Sequence, residues 1–273
     1  MKPRYSFSSR RTRNIDNLRK QKQKYPELTK KIIEDSDILL QVLDARFMEE
    51  TRNKEVEEIL KKKKKKIIYV INKADLIDKN QKQNLYPYVF VSCTQRKGIR
   101  ELRDLIKRNA KKLKKEDDRV NVGIIGYPNT GKSSLINLLI GKNSAKTAAE
   151  AGFTKGLQKL KLSPGILLID SPGIIPEAGY SAVNRAAITQ HTKLGGRSYS
   201  QVKEPELVVS DLIMEFPNIF ETFYNIDSES NPEIFIEKLG KKKGFLKKGG
   251  EVDEDKTARS ILRDWQEGKI RIS

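Results

Sequence analysis

The chain has 273 residues, 37% of them hydrophobic and 33% charged, which suits a charged globular protein of one to two domains and excludes a wholly disordered one. Lys and Arg number 55 against 36 Asp and Glu, a formal charge of +19 whose usual counterpart is a polyanion. A single Cys (Cys93) and a single His (His191) exclude an intrachain disulfide and a Cys/His zinc knuckle; no apolar run is long enough to span a membrane.

In chain order, residues 1–35 read as a basic N-terminal arm and extension. No apolar stretch follows the basic start, so a secretory signal is not expected, and the cytoplasm is the expected compartment. Apolar runs then recur at 38–43, 67–71, 88–91, 120–125 and 166–169, with a shorter alternating segment at 158–162. Runs of this kind suit strands covered on both faces. Helical stretches are expected between them at about 51–65, 98–115 and 132–141. The alternation predicts an α/β class, a doubly wound, mostly parallel sheet over 36–180, with ligands at the carboxyl ends of its strands. Residues 181–204 are polar, contain Gly195-Gly196, and read as a linker. Residues 205–273 read as a small helical domain: Asn231-Pro232 is a helix start, Asp253 an N-cap, Gly268 a stop, and Ala258, Ile261, Leu262 and Trp265 form an apolar stripe.

Gly126-Tyr127-Pro128-Asn129-Thr130-Gly131-Lys132-Ser133 fits the phosphate-loop pattern and stands between an expected strand and an expected helix. Backbone N–H groups of such a loop curl around phosphates at a helix N-terminus, so Gly126, Thr130, Gly131 and Ser134 belong with the nucleotide. Lys132 would reach the β- and γ-phosphates and Ser133 would hold Mg²⁺. Asp170-Ser171-Pro172-Gly173 ends the fifth run: Asp170 would hold Mg²⁺ through water, and the Gly173 N–H would sense the γ-phosphate. Asn72-Lys73-Ala74-Asp75 follows the second run and fits the guanine-specificity pattern. A carboxylate only accepts hydrogen bonds, and guanine offers paired N1–H and 2-amino donors that adenine lacks, so Asp75 would select GTP. Asn72 would brace the loop, the Lys73 stem would cover the ring, and Ser92-Cys93 would back the base oxygen, Cys93 as a small buried residue.

The guanine motif here precedes the phosphate loop, and Asp170 comes last, an order that resembles the circularly permuted GTPases of the YlqF/YawG (RbgA-like) family, in its archaeal or eukaryotic-like branch. Asp44-Ala45-Arg46 with Thr51-Arg52-Asn53 resembles that family's D-A-R and R-N signature, and Gly152-Phe153-Thr154 with Gln158 its switch region. The resemblance implies large-subunit ribosome assembly, a second Mg²⁺ hydroxyl from Thr154, a K⁺ site at Asn129, and a C-terminal helical domain that touches ribosomal RNA. Lys132, Thr154 and Gly173 are then the residues that carry hydrolysis. Ile174 stands where Ras-like enzymes carry the water-orienting Gln, which implies slow intrinsic turnover stimulated by the particle and K⁺. The family's bacterial N-terminal Trp-Phe-Pro-Gly-His segment is absent, and His191 in the expected linker reads as structural or exposed.

Charge runs remain: Lys61–Lys66, Lys111-Lys112 with Lys114-Lys115, and Lys241, Lys242, Lys243, Lys247 and Lys248. Several clusters in one chain favour RNA read by backbone and shape, with the C-terminal lysines as RNA contacts. The expected partners are GTP or GDP and the large ribosomal subunit or its rRNA precursor, with no membrane, and the protein is expected to be a monomer. Two alternatives stand beside this switch: an RNA-placement factor holding GTP or GDP without appreciable turnover, and a GTPase with another RNA client.

Overall fold

The computed structural model describes residues 29–77, 84–113, 119–141, 158–170 and 185–272. Thr154, Gly173, Ile174, Lys114, Lys115 and the arm before residue 29 lie outside the described residues.

Each apolar run is a strand: β1 (Ile38–Asp44), β2 (Lys66–Asn72), β3 (Tyr88–Phe90), β4 (Val120–Gly126), β5 (Gln158–Ser163) and β6 (Ile166–Asp170). They form one sheet in the order β3-β2-β1-β4-β6-β5. Every pairing is parallel except β5 with β6. All seven residues of β1 are buried, as a central strand covered on both faces requires. Ile38, Leu40 and Val42 of β1 join Val122 and Ile124 of β4 in one core layer. α3 (Ile99–Lys111) and α4 (Lys132–Ile140) cover it with Leu102, Ile106, Leu135, Ile136 and Leu139. On the other face Leu39 and Ile125 meet Val56 and Leu60 of α2 (Lys54–Lys62), together with Ile32 and Ile33. α2 is preceded by one short turn, α1 (Met48–Thr51). The Asn53 side chain accepts the Val56 N–H and so starts α2.

The chain runs outward from β1 to β3, then returns to the other side of β1 to make β4. The strand order therefore reverses between β1 and β4, and the crevice for a ligand opens beyond Asp44 and Gly126.

The C-terminal part is helical: α5 (Arg185–Lys193), α6 (Pro205–Glu215), α7 (Ile219–Tyr224), α8 (Pro232–Lys243) and α9 (Glu254–Gln266). Asn231 caps α8 by accepting the Glu233 and Ile234 N–H groups, and Asp253 caps α9 by accepting that of Lys256. The α9 stripe Ala258, Ile261, Leu262 and Trp265 is fully buried. The Trp265 ring lies 5.4 Å from Phe216, 5.5 Å from Phe220 and 5.9 Å from Phe47, centroid to centroid.

The linker expected at 181–204 is not one over its described residues. α5 fills 185–193 and a 3₁₀ turn fills Tyr199–Gln201. Periodicity does not reveal α5, because its seat is polar. Trp265 Nε1 donates to the Lys193 carbonyl at 3.1 Å, and Gln266 Nε2 donates to those of Thr192 and Arg197, each at 2.9 Å. The helix end that a linker would leave in water is thus satisfied by α9. Phe47 and Tyr127, from the sheet side, belong to the same apolar cluster as Trp265, so the two halves of the chain share a core.

Candidate functional site

The phosphate loop leaves β4 at Gly126 and enters α4 at Lys132. Two of its residues take left-handed conformations, Asn129 (φ 60°) and Gly131 (φ 93°), which turn successive N–H groups toward one point. A Cβ on Gly131 would stand 2.2 Å from Asn72 Nδ2, so glycine is the residue that fits. Thr130 is fully buried, and its hydroxyl donates to the Tyr127 carbonyl at 2.8 Å. Lys132 is buried and donates to the Gly126 and Tyr127 carbonyls, each at 3.0 Å. Burial drives its pKa down to about 8, against the upward pull of Asp170. Ser133 and Ser134 lie in the first turn of α4, both half-buried.

The Asn-Lys-x-Asp loop leaves β2 one strand beyond β1. Asn72 is its brace: its Nδ2 donates to the Thr130 carbonyl at 2.7 Å, and its Oδ1 accepts the Cys93 N–H at 3.3 Å. One amide thus joins the base loop, the phosphate loop and the loop after β3. Lys73 is left-handed (φ 61°), and its Nζ lies 2.8 Å from Asp44 Oδ2. Asp75 follows in a 3₁₀ turn, and its Oδ1 is buried with no hydrogen-bond partner, an acceptor without a donor. Ser92 is buried, its Oγ accepting the Gln95 N–H, and burial pushes the Cys93 thiol up to about 12. That cysteine is a small packed residue and no nucleophile.

Asp170 ends β6 beside Ile124 of β4 and is almost wholly buried. A carboxylate there and the Ser133 hydroxyl are hard oxygen donors suited to Mg²⁺, which takes few protein ligands when phosphates supply the rest. Among the described residues there is no group of three or more His, Cys, Asp or Glu that could hold a metal ion. Asn129, the residue linked to K⁺ by resemblance, donates its amide nitrogen to the Gly195 carbonyl at 2.9 Å.

Sequence reasoning alone did not reach the wiring between this site and the helical part. Asp44 is buried; the burial that would raise its pKa is outweighed by Lys73 and then Arg46, which hold its carboxyl far below the usual range. Arg46 grips Asp44 through two nitrogens, at 3.0 and 2.9 Å, and donates Nη1 to the Trp265 carbonyl at 3.0 Å. The Tyr127 hydroxyl bonds His191 Nδ1, and the two rings lie nearly parallel. A Cβ on Gly196 would meet the Tyr127 hydroxyl at 2.6 Å, so Gly195-Gly196 marks a close approach to the phosphate loop.

The lysines expected to touch RNA divide. Lys247 and Lys248 are exposed. Lys241 is paired with Glu237, and Lys242 donates to the Tyr224 and Asn225 carbonyls. Lys243 turns inward, donating to Ser260 Oγ at 2.9 Å and lying over the Tyr224 ring, because Asp264 on α9 draws it there. It is a packing residue. In the hexalysine run, Lys65 caps the helical stretch before β1 through the Glu34 and Ser36 carbonyls.

An Asn-Lys-x-Asp loop that comes before its phosphate loop, both at the carboxyl ends of strands in a mostly parallel sheet, marks a circularly permuted P-loop GTPase. Comparison with known proteins agrees. Residues 121–215 match the family model described as "50S ribosome-binding GTPase". A GTP-binding protein of Methanocaldococcus jannaschii is 38% identical over 93% of this chain and 68% of its own. Nucleolar GTP-binding protein 2 of Saccharomyces cerevisiae is 35% identical over 88% of this chain; the chain spans about half the length of that relative (51%). GNP-bound YlqF from T. maritima shares the fold, with a TM-score of 0.62 over 90% of this chain and 94% of its own, at 22% identity. The chain belongs to the circularly permuted GTPases of the YlqF/YawG (RbgA-like) family. Among the described residues no helix is long and apolar enough to cross a membrane.

Proposed function

We propose that the protein is a GTP-binding and GTP-hydrolysing switch that acts in assembly of the large ribosomal subunit through contact with ribosomal RNA. The observation that carries the base assignment is Asp75 Oδ1, a buried acceptor without a partner in the loop that Asn72 ties to the phosphate loop. The guanine N1–H and 2-amino group are the donors that satisfy such a carboxylate. The Lys73 stem covers the ring, and the Ser92-Cys93 backbone meets the base oxygen. The phosphate loop, from Gly126 to Ser134, wraps the phosphates. Lys132 leaves the Gly126 and Tyr127 carbonyls within its reach to meet the β- and γ-phosphates.

Ser133, Asp170 and Thr154 would hold Mg²⁺, and Asn129 K⁺. When bound, these cations neutralise phosphate charge. Gly173 reports the γ-phosphate, and Ile174 leaves the attacking water without a glutamine, so turnover is slow until the particle supplies the missing order. The large-subunit client is supported by the matched family's description and by the nucleolar relatives. Lys241, Lys242, Lys247 and Lys248, all exposed on the helical part, are its RNA contacts, and the protein works as a cytoplasmic monomer.

The test is GTP turnover in KCl and in NaCl, alone and with purified large or small ribosomal subunits. Stimulation by the large subunit alone is the expected result. No stimulation by either particle in either salt overturns the switch and leaves a nucleotide-holding RNA-placement factor.

A further inference from the structure

The edge of the sheet opposite the nucleotide crevice carries a groove that the switch does not use. β2 and β3 run parallel with Tyr69 opposite Tyr88, so Lys66 and the Tyr86-Pro87 pair stand at their starting ends. α3 returns to that same edge. Its last turns close a groove of about 480 Å³ lined by Lys66, Tyr86, Pro87, Leu105, Arg108 and Lys112. Tyr86 is 87% exposed. Lys61–Lys64, which end α2 and lead toward β2, are exposed, as are Lys107, Arg108, Lys111 and Lys112 at the end of α3. None of these cations forms an ion pair among the described residues, in contrast to Lys241, Lys243 and Lys269 of the helical part.

Lysines at the ends of α2 and α3 suit the negative ends of those helices, and that accounts for one or two charges at each. It accounts neither for a run that continues past α2 to Lys66 nor for an exposed aromatic ring, Tyr86, that shares the groove with Lys66. Cations that track a backbone, next to a ring on which a base can stack, are the two components of a single-strand site. Ile67, Pro87 and Leu105, set among Lys66, Arg108 and Lys112, are too little apolar surface for a lipid-facing patch.

We infer that this edge binds a single-stranded RNA segment, with its phosphates on Lys61–Lys64, Arg108 and Lys112 and one base stacked on Tyr86. The inference rests on the RNA client proposed above and adds an anchor across the sheet from the crevice, which therefore holds in both nucleotide states.

The test is fluorescence anisotropy of a labelled single-stranded oligoadenylate with the full chain, titrated over a range of KCl in GDP and in a non-hydrolysable GTP analogue. Tyr86→Ala lowers affinity roughly tenfold with the salt slope unchanged, and Tyr86→Trp retains affinity. Changing Lys61, Lys62, Lys63 and Lys64 together to Ser flattens the salt slope by about 0.7 for each phosphate that is no longer neutralised. GDP affinity stays at the parent value in every variant, and the RNA effects are equal in both nucleotide states. If the parent binds oligoadenylate and all variants match it, the groove is overturned while the switch stands. A parent that ignores oligoadenylate, or prefers phosphatidylserine vesicles to it, also overturns the groove; stimulation by the large subunit then decides the switch separately.

Discussion

Arg46 and Trp265 stand 219 residues apart in the chain, and the Arg46 guanidinium donates to the Trp265 carbonyl at 3.0 Å while lying over its indole ring. The same guanidinium clasps Asp44, and Asp44 in turn holds Lys73 of the guanine loop. A continuous polar path therefore runs from the base-binding loop to the last helix. It passes through a buried carboxylate whose charge is balanced from both sides, so neither end can shift without leaving a buried charge exposed to the other.

Removing the middle of that path is expected to be costly. Arg46→Ala leaves Asp44 buried with Lys73 alone, and destabilisation of about 3 kcal/mol is expected in urea unfolding. Arg46→Lys recovers only part, because an ammonium cannot make the two-pronged contact or stack on Phe47 and Trp265. An Arg46→Lys variant as stable as the parent contradicts the role assigned to the guanidinium plane.

The site and the sheet were legible in the sequence for one physical reason, and the helical connection was hidden for another. β1, β2 and β4 are largely buried on both faces and so read as near-continuous apolar runs, interrupted by Gln41 in β1 and Asn121 in β4. The phosphate and guanine loops depend on local backbone shape, so Gly131, Lys132, Asn72 and Asp75 sit at fixed spacing. α5 is seated by Trp265 and Gln266 from far along the chain, and its own residues carry no apolar stripe to announce it. Lys243 has the same origin: only the approach of α9 brings Asp264 and Ser260 to it and takes it from solvent. His191 likewise gains its place from Tyr127, a contact that no local pattern encodes.

Asp75 is expected to carry base selection. Asp75→Asn replaces a pure acceptor with a group that presents a donor to guanine N1–H and the 2-amino group. Two charge-assisted hydrogen bonds disappear, so GTP affinity falls by at least about a hundredfold and xanthosine nucleotides gain. Competition between GTP and XTP for a fluorescent GDP analogue checks it. An unchanged preference for GTP removes Asp75 from the base site.

Gly131 tests the brace. A Cβ at this position would stand 2.2 Å from Asn72 Nδ2, in a conformation with φ of 93° that side chains avoid. Gly131→Ala is expected to push Asn72 off the Thr130 carbonyl and weaken both phosphate and base binding, while the sheet still folds. Circular dichroism near the parent with nucleotide affinity lowered more than about tenfold is the expected pair of results. Parent-like affinity shows that the two loops do not depend on that amide.

Lys132 gives the pH dependence its sign. Burial lowers its pKa from 10.5 to about 8 in the free protein. Below pH 8 the lysine is charged both folded and unfolded, and the cost of burying that charge is carried in full. Between pH 8 and 10.5 the unfolded chain holds more protons than the folded one, so the Lys132 contribution to stability rises with pH. Nucleotide phosphates favour the charged form and oppose the desolvation, so binding above pH 8 must take up a proton. GDP affinity is therefore flat below pH 8 and falls by up to about tenfold per unit above it, until the bound lysine itself titrates. Calorimetric titrations of GDP at about pH 9, in two buffers of different ionisation enthalpy, are expected to return proton uptake approaching one per site in the parent and none in Lys132→Met. Equal uptake in both assigns the proton to another group and places the pKa of Lys132 well above the window.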